Sequence, residues 1–314
     1  MNYLKDYREG EKFVGTYLCK QKQILKTKAG KTYYSLTLQD KTGTADGKIW
    51  ELNNGIANFE PMDYIHCEGM VTSFQGNLQM NISRVRISDE GEYDSTDYVP
   101  CTNKDVGEMF SRILKYVASV QNKYLRKILE MYFVENKEFV DAFKKHSAAK
   151  SVHHGFMGGL LEHTLSVTDM CQYFAEHYPM IHRDLLITAA LFHDMGKIQE
   201  ISDFPMNDYT DDGQLLGHIY IGARCMENAA AQIPNFPPKL KNELVHCILA
   251  HHGKMEFGSP KVPAIMEAMA LHMADNADAK LRTLTAVFPR AGDNMGWLGF
   301  NRMFESNLRK TSEE

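Results

Sequence analysis

Two periodicities divide the chain. Between residues 10 and 88, apolar and polar positions alternate in short runs: VGTYLCKQKQIL, KTYYSLTLQD, TADGKIW, YIHCEGMVTSF and LQMNISRVRIS. Alternation rich in β-branched and aromatic residues predicts strands. The turn signals Lys28-Ala29-Gly30-Lys31, Asp40-Lys41-Thr42-Gly43 and Gln75-Gly76-Asn77 separate them. Five strands in so short a stretch predict a small closed barrel, and the OB-fold is the commonest five-stranded type. The acidic, polar run DEGEYDSTDYVP then reads as a linker. From Asn103 onward the apolar residues recur at three-four spacing, as in LLEHTLSVTDMCQYFAEHY, RDLLITAALFHDM, KLKNELVHCILAHH and PAIMEAMALHMADNADAKL, which predicts helices. The expected fold is multidomain α+β. It comprises a five-stranded OB-type β-barrel at 1–88, a linker at 89–102, an all-α helical bundle at 103–305 and a disordered tail at 306–314.

The helical half carries the chemistry. Histidines and aspartates occur there in the order His163, His193-Asp194, His218, His251-His252, Asp275. Neutral imidazoles and carboxylates are ligands for Mn, Fe, Co, Ni or Zn. Seven such residues exceed the needs of one ion and suit two ions sharing a bridging carboxylate, a hydrolytic arrangement. His193-Asp194 closes an apolar helix, where adjacent side chains can converge on an ion. His66, His146, His177, His182, His246 and His272 are expected to be ordinary packing or surface histidines. His153 and His154, in a loop before the His163 helix, are candidates to line the pocket. Asp278 is expected to pair with Arg282 at i+4 rather than to orient a ligand histidine.

Composition narrows the class. The 314 residues suffice for two cores. No apolar run is long enough to span a bilayer. The opening MNYLKDYREGEK is charged and lacks an apolar signal core, so a cytoplasmic location without membrane association is expected. Six cysteines without a CxxC pair read as reduced thiols. The net charge of -5 argues against a broad nucleic-acid coat but leaves room for a local basic groove.

The order His163, His193-Asp194, Asp275 resembles the HD-domain metal-dependent phosphohydrolases, and His218 with His251-His252 resembles their two-metal branch. The resemblance implies one ion on His163, His193, Asp194 and Asp275. It implies a second on Asp194, His218 and His251, with His252 a ligand or a phosphate contact. The chain departs from the HD-GYP phosphodiesterases, since Gly253-Lys254 follows His251-His252 where that group has a glutamate and Gly-Tyr-Pro. It is more similar to the YhaM-type 3′→5′ exoribonucleases, which join an N-terminal OB-fold to an HD domain. HHGFMGGLLEHTLSV, RDLLITAALFHDMGK, YTDDGQLLGHIYIG, ILAHHGKMEFGSPKVP and LHMADNADAK carry that likeness.

The implied activity is metal-dependent 3′→5′ hydrolysis of single-stranded RNA, and of single-stranded DNA as a further substrate, to nucleoside 5′-monophosphates. The expected cofactor is two divalent transition-metal ions per subunit, Mn first and Co, Fe, Ni or Zn as alternatives. Asp194, Lys197 and His252 are the expected catalytic residues. Lys197 is either the cation that neutralises phosphoryl oxygens or a solvated surface lysine. Lys254 and Lys261 lie in a loop that either holds substrate phosphates or merely connects. A homo-oligomer is expected from the family pattern.

In the barrel, Lys20, Lys22, Lys26, Lys28 and Lys31 cluster on the first hairpin, and Tyr17, Tyr33, Tyr34, Trp50 and Phe74 fall in or beside strands. Residues 1–88 hold twelve Lys/Arg against nine Asp/Glu. A basic track with stacking aromatics is how OB-folds grip single strands. The competing reading has the aromatics filling the barrel and the lysines solvating an edge. Two other functions stay open: a nucleotide or cyclic-dinucleotide phosphohydrolase with a regulatory OB-fold, and a non-catalytic RNA-binding protein.

Overall fold

A computed structural model describes residues 3–150, 154–290, 292 and 294–312. His153 lies outside them. The described chain forms two compact units: 1–101 together with 203–207, and 102–202 together with 208–314.

The first unit is a closed barrel of β1 (Lys12–Lys26), β2 (Thr32–Asp40), β3 (Gly43–Ile49), β4 (Tyr64–Phe74) and β5 (Asn77–Ile87). Its strand order is β1-β2-β3-β5-β4. The fifteen-residue β1 is long enough to serve two neighbours. Its first half pairs antiparallel with β4, from Lys12↔Met70 to Leu18↔Tyr64. Its second half pairs with β2, from Leu18↔Gln39 to Lys26↔Thr32. A parallel β3–β5 pairing at Asp46↔Gln79 completes the ring. This is OB topology: a five-stranded Greek-key barrel. Phe13, Tyr17, Leu36, Leu38, Ile49, Ile65 and Val71 fill the interior. The stretch expected to be a plain linker is partly ordered: Ser95–Asp97 form a 3-10 turn and Tyr98 is buried.

The second unit is built from α1 (Val106–Ser119), α2 (Lys123–Glu130), α3 (Lys137–Lys145), α4 (Gly159–His177), α5 (Arg183–Phe192), the one-turn α6 (Lys197–Glu200), α7 (Asp211–Ala231), α8 (Pro238–Ala250) and α9 (Met266–Arg290). Every residue of α5 from Leu185 to Phe192 is buried. A helix apolar all round belongs in the interior, and α5 packs against α4, α8 and α9. Two expectations are corrected. The unit is not purely helical, because β6 (Trp297–Asn301) pairs with β7 (Ser306–Arg309). The strand β7 therefore occupies the start of the tail expected to be disordered. Among the described residues no helix is long and apolar enough to cross a membrane. The six cysteines are free.

Candidate metal centre

The centre is assembled where helices end. α5 stops at Phe192, and His193-Asp194-Met195-Gly196 turns the chain into α6. α7 crosses this turn so closely that a Cβ on Gly196 would sit 2.1 Å from the His218 carbonyl oxygen. Only glycine permits that approach, and it sets His218 beside Asp194. α7 itself breaks at Gly217, with φ 72°. The backbone N–H of His218 then donates to Glu200 Oε1 at 2.9 Å. α8 ends at His251, α4 contributes His163, and α9 contributes Asp275 and Asp278.

Five histidines share one orientation. Each has Nδ1 within hydrogen-bond distance of a fixed oxygen. The oxygens are Asp278 Oδ2 for His163 (2.7 Å), the Ala190 carbonyl for His193 (2.8 Å), Glu200 Oε1 for His218 (2.9 Å), the Ile248 carbonyl for His251 (2.7 Å) and the Phe257 carbonyl for His252 (2.8 Å). An oxygen acceptor on Nδ1 places the proton there and leaves the Nε2 lone pair for a cation.

Asp194 lies between two groups of these rings. Its Oδ2 is 3.4 Å from His163 Nε2 and 3.5 Å from His193 Nε2. Its Oδ1 is 3.5 Å from His218 Nε2 and 3.7 Å from His251 Nε2. Asp275 Oδ1 joins the first group, 3.2 Å from His163 Nε2. In the second group, His218, His251 and His252 each bring a ring nitrogen into one small cluster. Asp194 Oδ1, His218 Nε2 and His251 Nε2 are buried without a hydrogen-bond partner among the described residues. Orphaned buried polar atoms are costly. A divalent cation would satisfy all three, with ligand types that suit a transition metal. The residues fit such a group.

Comparison with known proteins agrees. Residues 160–280 match the HD domain family. The chain is similar to the 3′-5′ exoribonuclease YhaM of Geobacillus sp. (strain WCH70), at 32% identity over 81% of this chain and 78% of the relative. It is 31% identical to the Bacillus subtilis (strain 168) protein of the same name, over 83% of this chain and 82% of the relative. The chain belongs to the YhaM family. The same name is carried by a relative from Shouchella clausii (strain KSM-K16), 32% identical over 91% of this chain and 89% of its own. Among solved structures, the second OB-fold domain of replication protein A from Methanococcus maripaludis is 20% identical. It covers 29% of this chain and 98% of its own, with a TM-score of 0.24. The OB assignment rests on the strand order above.

Electrostatics prepare this YhaM-family centre for a cation. Burial opposes charge on Asp194, but Lys197 and the surrounding imidazoles hold its carboxyl well below the ordinary range. Asp275 is likewise lowered, burial being outweighed by His163. Burial pushes His193, His251 and His252 down, so they are neutral and ready to ligate near pH 7. His163 differs. Burial disfavours its charge, yet bonds to Asp194, Asp275 and Asp278 raise it well above the usual histidine value. Without metal it holds its proton more firmly than an ordinary histidine does. A cation needs that Nε2 lone pair, so metal uptake must expel the proton. Affinity is expected to climb with pH up to the raised His163 pKa and level off above it. Titration calorimetry in two buffers of different ionisation enthalpy should count about one proton released per site. A count of zero would exclude His163 as a ligand.

One expectation is corrected, one alternative is decided and one residue is new. Asp278 does more than pair with Arg282, whose Nη2 is 2.9 Å from Glu162 Oε1 while its Nε is 3.8 Å from Asp278. Asp278 instead accepts from His163 Nδ1 at 2.7 Å, His154 Nε2 at 2.9 Å and the Ser166 hydroxyl at 2.6 Å. Lys197 is no solvated lysine: its side chain is 16% exposed and its Nζ is 2.7 Å from Asp194 Oδ2. Glu200, which sequence reasoning passed over, fixes His218. Lys254, by contrast, is exposed and 3.2 Å from Glu256, and Lys261 is also exposed.

The barrel divides its candidates. Tyr33 stacks on Trp50 with ring centroids 4.6 Å apart, and Trp50 Nε1 donates to Asn81 Oδ1. Phe74 is exposed and lines a groove of about 620 Å³ with Lys5 and Gln79. Lys26 and Lys28 are exposed; Lys20 donates to Gln39, and Lys31 lies 3.2 Å from Glu51. Lys22 is a correction. Its side chain is 8% exposed, and its ammonium lies over the Tyr34 and Phe59 rings while donating to the Phe59 carbonyl. It cannot track a phosphate backbone. Tyr17 is a second correction: it is wholly buried in the barrel.

Proposed function

We infer that the protein is a metal-dependent 3′→5′ exoribonuclease that shortens single-stranded RNA and releases nucleoside 5′-monophosphates. Single-stranded DNA is a further substrate. The observation that carries the two-ion form is the Asp194 carboxylate, whose two oxygens face different histidine groups. His163, His193, Asp194 and Asp275 would hold one ion. Asp194, His218 and His251 would hold another, with His252 at its edge. Mn²⁺ is the first choice and Co, Fe, Ni or Zn follow. The five-imidazole set disfavours Mg²⁺ and Ca²⁺, which prefer oxygen. When bound, such a pair supplies Lewis-acid activation of water and of the phosphoryl group.

The chain's own residues do the rest. Asp194 keeps its negative charge across the working range, anchoring both sides of the site. Burial disfavours charge on Lys197, but Asp194 beside it keeps the ammonium protonated. A buried, permanent cation next to the reacting phosphate neutralises charge that builds on its oxygens. Glu200, Asp278 and three backbone carbonyls hold the imidazoles, so little reorganisation accompanies reaction.

The barrel offers the strand a sequence-tolerant grip through Tyr33, Trp50 and Phe74, with Lys20, Lys26, Lys28 and Lys31 on the phosphates. Trp50→Ala is expected to weaken binding of a single-stranded RNA about tenfold, since one stacked base contributes about 1–3 kcal/mol. Filter binding in EDTA measures this apart from cleavage, and unchanged affinity would remove the stacking role. The reading includes a cytoplasmic homo-oligomer, supported by the exposed Trp297 and Phe300 of the β6–β7 hairpin. Light scattering that gives a monomer mass removes that part.

The direct test uses metal-stripped protein, added Mn²⁺ and a 5′-labelled single-stranded RNA, with Asp194→Asn as control. A ladder of shortened labelled products with free 5′-monophosphates, absent in the control, is the expected result. Uncut RNA beside rapid hydrolysis of a nucleotide or cyclic dinucleotide would overturn it.

A further inference from the structure

A cavity of about 350 Å³ adjoins the metal ligands. Asp275, His163, Lys197 and His252 form one side of it, and His272, Asn276 and Phe257 belong to the same lining. That volume is at the small end for small-molecule sites, roughly 300–1,000 Å³. It suits one nucleotide and not a folded strand.

His272 was expected to be an ordinary histidine, but its ring is held in place. Its Nδ1 donates to the His251 carbonyl at 2.9 Å. The ring also lies against Gly253, where a Cβ would come within 2.3 Å of it and where φ is +78°. Nδ1 is engaged by the His251 carbonyl, which leaves Nε2 as the ring atom open to a partner, an acceptor in that tautomer. Asn276 stands one helical turn further along α9. It is half-buried, and its amide makes no hydrogen bond among the described residues. The two residues flank Asp275 in sequence, so both lie within a turn of a metal ligand. Phe257 completes the group. Its carbonyl is tied to His252, the residue is 56% exposed, and the Lys254 ammonium lies 5.2 Å from its ring centroid, leaving the other face for a base.

We propose that this cavity holds the 3′-terminal nucleotide of the substrate, with His272 and Asn276 binding the hydroxyls of its ribose and Phe257 facing its base. The assignment rests on the exoribonuclease reading, in which the terminal nucleotide's 5′-phosphate lies at the metal ligands. Its sugar then follows directly along the cavity. A ribose cis-diol brings two O–H donors. His272 Nε2 accepts one, and the Asn276 amide, both donor and acceptor, takes the other. The 2′-hydroxyl is what separates RNA from DNA at a site. A half-buried polar pair with one partner left unmatched by a deoxyribose penalises it. The ring of Phe257 offers a face that any base can stack upon.

The test is product binding to the full-length, Mn²⁺-loaded protein, comparing adenosine 5′-monophosphate with its 2′-deoxy analogue by calorimetry. The wild type is expected to favour the ribonucleotide roughly tenfold. Asn276→Ala is chosen because this side chain has no hydrogen bond among the described residues to lose; it should bring the ratio toward one. Phe257→Ala should weaken both nucleotides by the same factor and leave the ratio standing. Equal affinities in the wild type, or an Asn276→Ala variant that keeps the full preference, would overturn the proposal. Digestion of RNA oligomers ending in a ribo- or a deoxynucleotide is run alongside. Discrimination between the monophosphates by a protein that cuts neither oligomer would uphold the ribose site and refute the exoribonuclease reading.

Discussion

Asp194→Asn is expected to abolish turnover, lowering kcat by about 10³-fold or more. The substitution conserves shape but replaces an anion by a neutral amide. Lewis-acid stabilisation of a phosphoryl transition state is worth several kcal/mol, and each 1.36 kcal/mol is a factor of ten. Among the described residues, Asp194 is the one carboxylate with ion-pair distances to both histidine groups, at 3.4–3.5 Å on one side and 3.5–3.7 Å on the other. Loss of its charge should therefore weaken cation binding on both sides. A second effect runs through Lys197. In the metal-free protein its mostly buried ammonium relies on Asp194 Oδ2, and breaking a buried pair costs about 3–5 kcal/mol. The variant should melt lower without metal and gain less when Mn²⁺ is added. Rates, manganese stoichiometry and melting temperature with and without metal separate the two effects. Turnover within tenfold of wild type in a properly folded variant would end the shared-carboxylate account.

The parts of this protein that sequence makes legible are those governed by local spacing. Roughly alternating runs mark β1 to β5 because part of each strand faces the interior of one small barrel; β2 alternates most clearly, while β1 buries Thr16 to Cys19 in succession. Three-four spacing marks α8 and α9 because each turns a face to the core, while α5 reads as apolar nearly all round because it is buried on every side. The ligand candidates also showed in the sequence, not through the common His-Asp dipeptide alone but through HDMGK, GH, HHGK and ADNAD following one another in one helical half. What failed depended on distant partners or on a broken period. Asp278 had a sufficient local explanation in Arg282, while its real partners, His163 and His154, lie 115 and 124 residues away. Glu200 meets His218 only because α7 starts at Asp211, capped by Thr210, and breaks at Gly217. Lys22 was misread because β1 carries a bulge between Cys19 and Gln21. One extra residue switches the faces. Cys19 sits opposite the buried Leu38, and Lys22 sits opposite the buried Leu36 instead of pointing outward.

Asp278→Asn carries the second large expected effect, a fall in metal affinity of about 10–100-fold, the usual consequence of removing a carboxylate behind a ligating histidine. Two opposing terms meet here. Burial disfavours charge on Asp278, but bonds from His154, His163 and Ser166 keep its carboxylate ionised far below the ordinary range. That charge raises the basicity of His163, strengthening it as a ligand and also making its proton compete with the metal. Losing the charge reduces both. The ligand-strength term is expected to win near and above neutral pH, where protons compete less. The gap between variant and wild type should therefore widen as pH rises, and the proton count on metal binding should fall below its wild-type value of about one. Arg282→Ala is the discriminating control. If Asp278 acted only as its helix-surface partner at i+4, removing the arginine would reproduce the loss; its guanidinium lies nearer Glu162, so metal affinity should hardly change. The fold must be checked as well, because His154 would keep a weakened partner in a buried position, at a cost of about 1–3 kcal/mol if that bond is lost. Equal metal affinity and an equal proton count in Asp278→Asn and wild type would reduce Asp278 to a packing residue. A loss in both readouts, with the melting temperature of the metal-free protein little changed, would mark it as the group that sets the orientation and proton of His163.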